Sequence, residues 1–112
     1  MTLNEIKVID GIADKIHTTA IMKGFWNEPR SWDSLLIRLH EEISEASESV
    51  RNGVELEPSE HIPEFKAIEE EIADIVIRAF DTARGRNLKI AAAISAKMAF
   101  NRDREYKHGK KY

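Results

Sequence analysis

Carboxylates at helical spacing are the residues of this chain best suited to chemistry. The stretch "RLHEEISEASES", positions 38–49, holds Glu41, Glu42, Glu45 and Glu48, and "EEEIADIVIRAFD", positions 69–81, holds Glu71 and Asp74. On a helix each residue advances about 100°. With Leu35 at zero, the apolar stripe of the first stretch is centred at about 50°, Glu42 falls at about −20° and Glu45 at about −80°. Glu42 and Glu45 therefore form an i, i+3 pair at the margin of the core, where an isolated carboxylate is costly. Glu41 and Glu48 lie on the solvated side. Glu71 and Asp74 repeat the pair, about 60° apart on their own helix. Four carboxylates from adjacent antiparallel helices repel one another unless protonated or neutralised, and all-oxygen ligation suits Mg²⁺ or Mn²⁺. Taken alone, the first stretch reads more readily as a solvated helix face; the second pair on the next helix brings a cation site level with that reading. A di-iron bundle requires Glu-x-x-His, and here the third residue after Glu42, Glu45 and Glu71 is Glu45, Glu48 and Asp74.

A basic counterpart follows near the end. Lys97, Asn101 and Arg104 recur at i, i+4 and i+7, within about 60° of one another. A cation, an amide and a guanidinium on one stripe suit a polyphosphate, or simply complement a helix C-terminus. The tail "YKHGKKY", with Tyr106, His108, Lys110 and Lys111, either closes over phosphates or is a loose end.

The elements that must position these groups are helices. Ile6, Ile9, Ile12, Ala13, Ile16 and Ala20 predict a first helix over about 3–23. "KGFWNEPRSW" interrupts, with Ser31 or Asp33 as N-cap of a second helix that stops near Gly53. A third is expected over about 63–84 with Pro63 in its first turn, and a fourth from Leu88 to about Glu105. No β run is evident. The expectation is one all-α domain over 1–112, resembling a four-helix bundle, with a tail from about 106.

Composition narrows the function. Of 112 residues 33% are charged and 42% apolar, which fits a soluble globular domain. A net charge of −3 argues against a general grip on nucleic acid polymers, and the absence of cysteine excludes disulfides, thiolate metal sites and thiol catalysis. No apolar run approaches the ~18 residues of a membrane span, and the start "MTLNEIKVIDG" lacks a signal peptide's pattern, so a cytoplasmic address is expected.

Taken together, these motifs resemble those of the MazG-like, all-α nucleoside triphosphate pyrophosphohydrolases, in particular small single-domain, phage-like members. EExxE corresponds to Glu41-Glu42-Ile43-Ser44-Glu45, ExxD follows after 25 residues as Glu71-Ile72-Ala73-Asp74, and KxxxNxxR is Lys97, Asn101 and Arg104. "KGFWNEPR" and "REYKHGKKY" add to the likeness, which covers nearly the whole chain. The resemblance implies hydrolysis of an NTP or dNTP between the α- and β-phosphates, to monophosphate and pyrophosphate, including house-cleaning of non-standard nucleotides. It implies Glu42, Glu45, Glu71 and Asp74 as Mg²⁺ ligands, with Mn²⁺ a substitute. Glu41 either binds a further metal or orients the attacking water. Lys97 and Arg104 would hold phosphate charge, with Lys97 counted beside Glu41 and Glu42 among the catalytic groups and Asn101 as a positioning contact. Tyr106 and Lys110 of the tail join the substrate contacts. His17, Trp26 and Asn27 are candidates around the base, although a loop aromatic is commonly packing. The resemblance also implies a homo-oligomer, a dimer or a tetramer built as a dimer of dimers. Two other readings compete: phosphoribosyl-ATP pyrophosphohydrolase, and a non-catalytic helical module whose acidic faces bind a basic partner.

Overall fold

Four helices account for the architecture: α1 (Leu3–Met22), α2 (Trp32–Arg51), α3 (Ala67–Gly85) and α4 (Ile90–Arg102). The computed structural model describes residues 1–104 and Tyr106, and no strand forms among them. Thr2 caps α1, accepting from the Glu5 backbone while Glu5 reaches back to Thr2. Ser31 caps α2 by accepting from the Ser34 backbone. Asn52 is the C-cap of α2, and Gly53 turns the chain away at φ +70°, which a side chain would resist.

Helix α3 begins four residues later than the sequence pattern predicts. Residues before it are drawn into a tight loop instead. Ser59 N–H donates to Phe65 O at 2.9 Å, Pro58 and Lys66 form an isolated antiparallel bridge, and the Ser59 hydroxyl accepts from Ile62 N–H at 3.0 Å. Pro63 therefore belongs to a turn and not to the helix, and Glu69 secures the real start by accepting from Lys66 N–H at 2.9 Å. Helix α4 is shorter than predicted at both ends; at its start Asn87 takes φ +56° and directs Leu88 into the α3–α4 turn.

Helix α3 is the hub. It packs along α2 and along α1, while α4 rests on α1 and, less extensively, on α3. The core is small: Ala13, Leu35, Ala83 and Ala91 are the fully buried apolar residues among those described. Leu36, Ile43 and Val50 recur every seven residues on α2 yet are 47%, 50% and 53% exposed, and Ile72 and Val76 of α3 are similarly open. The radius of gyration is 16.3 Å, against about 13 Å for a compact domain of this length. No helix among the described residues is long and apolar enough to cross a membrane.

Candidate metal centre and its surroundings

Helices α2 and α3 run antiparallel, so that Glu42 meets Arg78 while Asn52, ten residues further along α2, shares a cleft with Ala67 at the start of α3. This pairing sets the two acidic motifs opposite one another. Glu42, Glu45 and Glu71 each offer a carboxylate oxygen, and the three oxygens lie within 4.8 Å of one another. Asp74 lines the same cleft as Glu45 and Glu71, a cavity of about 480 Å³ that also takes in Asn52 and His61. One oxygen of Glu71, Oε2, is buried with no hydrogen-bond partner. An orphaned anionic oxygen is costly unless something positive reaches it.

The electrostatics agree with the geometry. Burial raises the Glu42 carboxyl above its ordinary range, and the Glu45 and Asp74 charges raise it further. Glu71 is raised by burial and then by Glu45, and Asp74 by burial and then by Glu70. Arg78 opposes this for Glu42, 3.6 Å away and too far for a hydrogen bond. Three hard oxygen donors, mutually repelling and incompletely satisfied, fit a divalent cation such as Mg²⁺ or Mn²⁺. Glu41 stands outside the trio, exposed, 3.6 Å from Arg38. Glu45 is itself exposed in this chain and closes the rim of the site rather than bordering the core.

His17 and Trp26 come together, though around a residue the sequence reasoning passed over. Trp26 donates its indole N–H to both carboxylate oxygens of Asp81, at 2.9 and 3.1 Å, and His17 donates through Nδ1 to Asp81 Oδ1 at 2.7 Å. The two rings meet edge to face at 5.1 Å, and Asp81 is only 2% exposed. Gly85 gives the indole its place: a Cβ there would lie 2.3 Å from Trp26 Cη2. Asn27 is exposed in the turn that follows Gly24, donating its backbone N–H to Gly24 O at 3.3 Å.

The basic stripe of α4 is not drawn to the acidic cluster within this chain. Lys97 Nζ and the Arg104 guanidinium lie over the Phe100 ring, at 4.6 and 5.4 Å from its centroid. Lys97 and Asn101 are exposed, on a helix whose main partner is α1, and neither they nor Tyr106 line the acidic cleft. Tyr106 is 88% exposed. Lys110, His108 and Lys111 lie outside the described residues.

Sequence reasoning also missed Arg78 and His61. Arg78 was within its reach, because Glu71, Asp74, Arg78 and Asp81 follow one another at three, four and three residues and so make a single polar stripe down α3. His61 gives no such signal; the irregular loop before α3 places it 2.7 Å from Glu70 Oε2. The bond to Glu70 raises His61, and correspondingly lowers Glu70.

No protein-family model, curated protein or solved structure matches this chain significantly.

Proposed function

We propose that the protein is a divalent-metal-dependent nucleoside triphosphate pyrophosphohydrolase of the MazG-like type, cleaving its substrate between the α- and β-phosphates. The observation that carries this reading is the convergence of Glu42, Glu45 and Glu71 across two helices, with a buried, unpartnered oxygen on Glu71. Glu42, Glu45 and Glu71 would hold Mg²⁺, with Asp74 beside them. When bound, the ion neutralises phosphate charge, acidifies water and stabilises charge on the departing oxygen. The chain's own residues do the positioning. Arg78, 3.6 Å from Glu42, offsets part of its charge, and Glu41, exposed beside Arg38, would bind a further ion or orient the water that attacks the α-phosphorus. The bond from that phosphorus to the bridging oxygen then breaks, leaving monophosphate and pyrophosphate. His17 and Trp26, fixed by Asp81, supply a rigid aromatic corner suited to a base.

The half-exposed stripes of α2 and α3 support a second part of the proposal, that the working form is at least a dimer. Leu36, Ile43 and Val50 with Ile72 and Val76 offer a face that another copy of this chain would cover. A partner seated there could also bring its α4 stripe towards the acidic cleft.

The test is incubation with a panel of nucleoside triphosphates and Mg²⁺, with detection of products. Pyrophosphate and monophosphate are expected, and Glu71→Gln should abolish them. Release of orthophosphate and diphosphate, or undiminished turnover by Glu71→Gln, refutes the assignment.

A further inference from the structure

The strongest unassigned feature is a group of three arginines, two of them held only by a carboxylate 3.6 Å away. The sequence "GFWNEPR" ends α1 and turns back: Gly24 adopts φ +88°, and Phe25 N–H donates to Ala20 O at 3.1 Å, presenting the Phe25 ring beside α2 and α3. Two guanidiniums share that ring, Arg38 at 5.7 Å and Arg78 at 5.2 Å from its centroid. Arg30, from the same loop, lies over Trp26 at 5.6 Å. Arg30 and Arg38 line a groove of about 370 Å³ that Ser34 also borders.

Nearby acids offset part of this charge but leave the N–H donors without a charge-assisted hydrogen bond. Glu28 is on the groove wall, but exposed. Glu41 is 3.6 Å from Arg38 and Glu42 is 3.6 Å from Arg78, both beyond the 2.7–2.9 Å of a charge-assisted hydrogen bond. Asp81 is buried and already accepts from Trp26 and His17. The guanidiniums consequently act on one another: burial lowers the Arg30 pKa most, and the Arg38 and Arg78 charges lower it further. Aromatic faces beneath them hold the planar groups in place without using their N–H donors. Such a set is preorganised for an anion with several oxygens.

Its location narrows the choice of anion. Glu42 belongs to the acidic trio and also approaches Arg78, so the arginine group adjoins the acidic site through one side chain. We propose that Arg30, Arg38 and Arg78 form an anion site for the pyrophosphoryl group of the substrate, the portion that leaves. This rests on the polyphosphate-substrate reading for its biological role, while the anion site itself can be tested alone. It assigns that task to the α1–α2 loop, α2 and α3 of one chain, where the sequence pattern had suggested α4.

The experiment is calorimetric titration of the full-length protein with inorganic pyrophosphate at low salt, in the presence of chelator so that no divalent ion contributes. Wild type should bind, and Arg30→Gln and Arg38→Gln should each weaken binding about tenfold or more, the value of a lost charged hydrogen bond. Lys7→Gln, an exposed change on α1, should bind as wild type does, and circular dichroism should find all variants equally helical. No binding by wild type, or equal binding by the Arg30→Gln/Arg38→Gln double variant, overturns the proposal. Parallel Mn²⁺ titration separates the two ideas. Lost arginine dependence with intact Mn²⁺ binding sinks the anion site alone. Intact arginine-dependent pyrophosphate binding supports it even if Mn²⁺ does not bind and the metal reading fails.

Discussion

Replacing Gly85 with alanine tests whether the Trp26–Asp81–His17 corner is as rigid as its geometry implies. Gly85 is the last residue of α3, where helix propensity alone favours alanine by at most about 1 kcal/mol. The structure reverses that sign. The new Cβ would stand 2.3, 2.4 and 2.9 Å from Trp26 Cη2, Cζ2 and Cζ3, whereas carbon atoms rest about 3.5–4.0 Å apart. The indole must retreat by about 1 Å or more. It is tied to Asp81 at 2.9 and 3.1 Å, and such a shift carries at least one of these bonds out of range. Weakening a hydrogen bond to a buried carboxylate costs about 1.5–3 kcal/mol, and overpacking costs about 1–3. After the propensity gain, Gly85→Ala should be less stable by about 2 kcal/mol or more, a fall in Tm of about 8 °C. The assay is thermal and urea unfolding of four proteins: wild type, Gly85→Ala, Trp26→Ala and the double variant. With the indole gone, the same alanine should stabilise by up to about 1 kcal/mol, so the two changes should couple by about 3 kcal/mol. An equal or raised Tm for Gly85→Ala in the wild-type background, or a coupling below about 0.5 kcal/mol, would refute the reasoning.

Other consequences follow from the same geometry. Because Glu42, Glu71 and Asp74 have raised pKa values when folded, their contribution to stability is complete below the ordinary carboxylate range and is lost as pH rises through the raised values. Metal-free protein should therefore lose Tm between weakly acid and neutral pH, and Mn²⁺ should restore it; a Tm that ignores Mn²⁺ at pH 7 would count against the site. Glu71→Gln should raise the metal-free Tm at pH 7, by about 0.5–1 kcal/mol of stability for a partly exposed charge, and remove the Mn²⁺ response. Ile43→Arg should convert a dimeric species to monomer in light scattering, since Ile43 is half exposed on the α2 stripe, and a wild-type monomer at high concentration would defeat the interface. Asp81→Asn should cost about 3–5 kcal/mol in urea unfolding if its charge is as tightly held as the three short contacts indicate, and a loss below about 1 kcal/mol would show those contacts to be incidental.

The four helices and the two acidic pairs were legible because both depend on local spacing. Ser31 as N-cap and Gly53 as terminator follow from residue chemistry within one turn of the helix end. Placing Glu42 beside the core needed only the 100° step and the apolar stripe around Leu35, which is 1% exposed. The start of α3 was misread because Pro63 is acceptable in a first helical turn, and nothing local reveals that Ser59 and Phe65 bond to each other.

Helical periodicity describes a residue's angle about its own axis and is silent on the rotation and stagger of a neighbouring helix. The sequence alone therefore determined which carboxylates share a face. Only the tertiary structure decided that the antiparallel register of α2 and α3 brings Glu42, Glu45 and Glu71 within 4.8 Å and sets Arg78 beside Glu42. It also decided that Asp81, seven residues beyond Asp74, would leave the acidic group and hold Trp26 and His17. Likewise it seated α4 on α1, away from the cleft that Glu45, Glu71 and Asp74 line. These are long-range placements, set by which apolar faces find one another, and no spacing within a single helix encodes them.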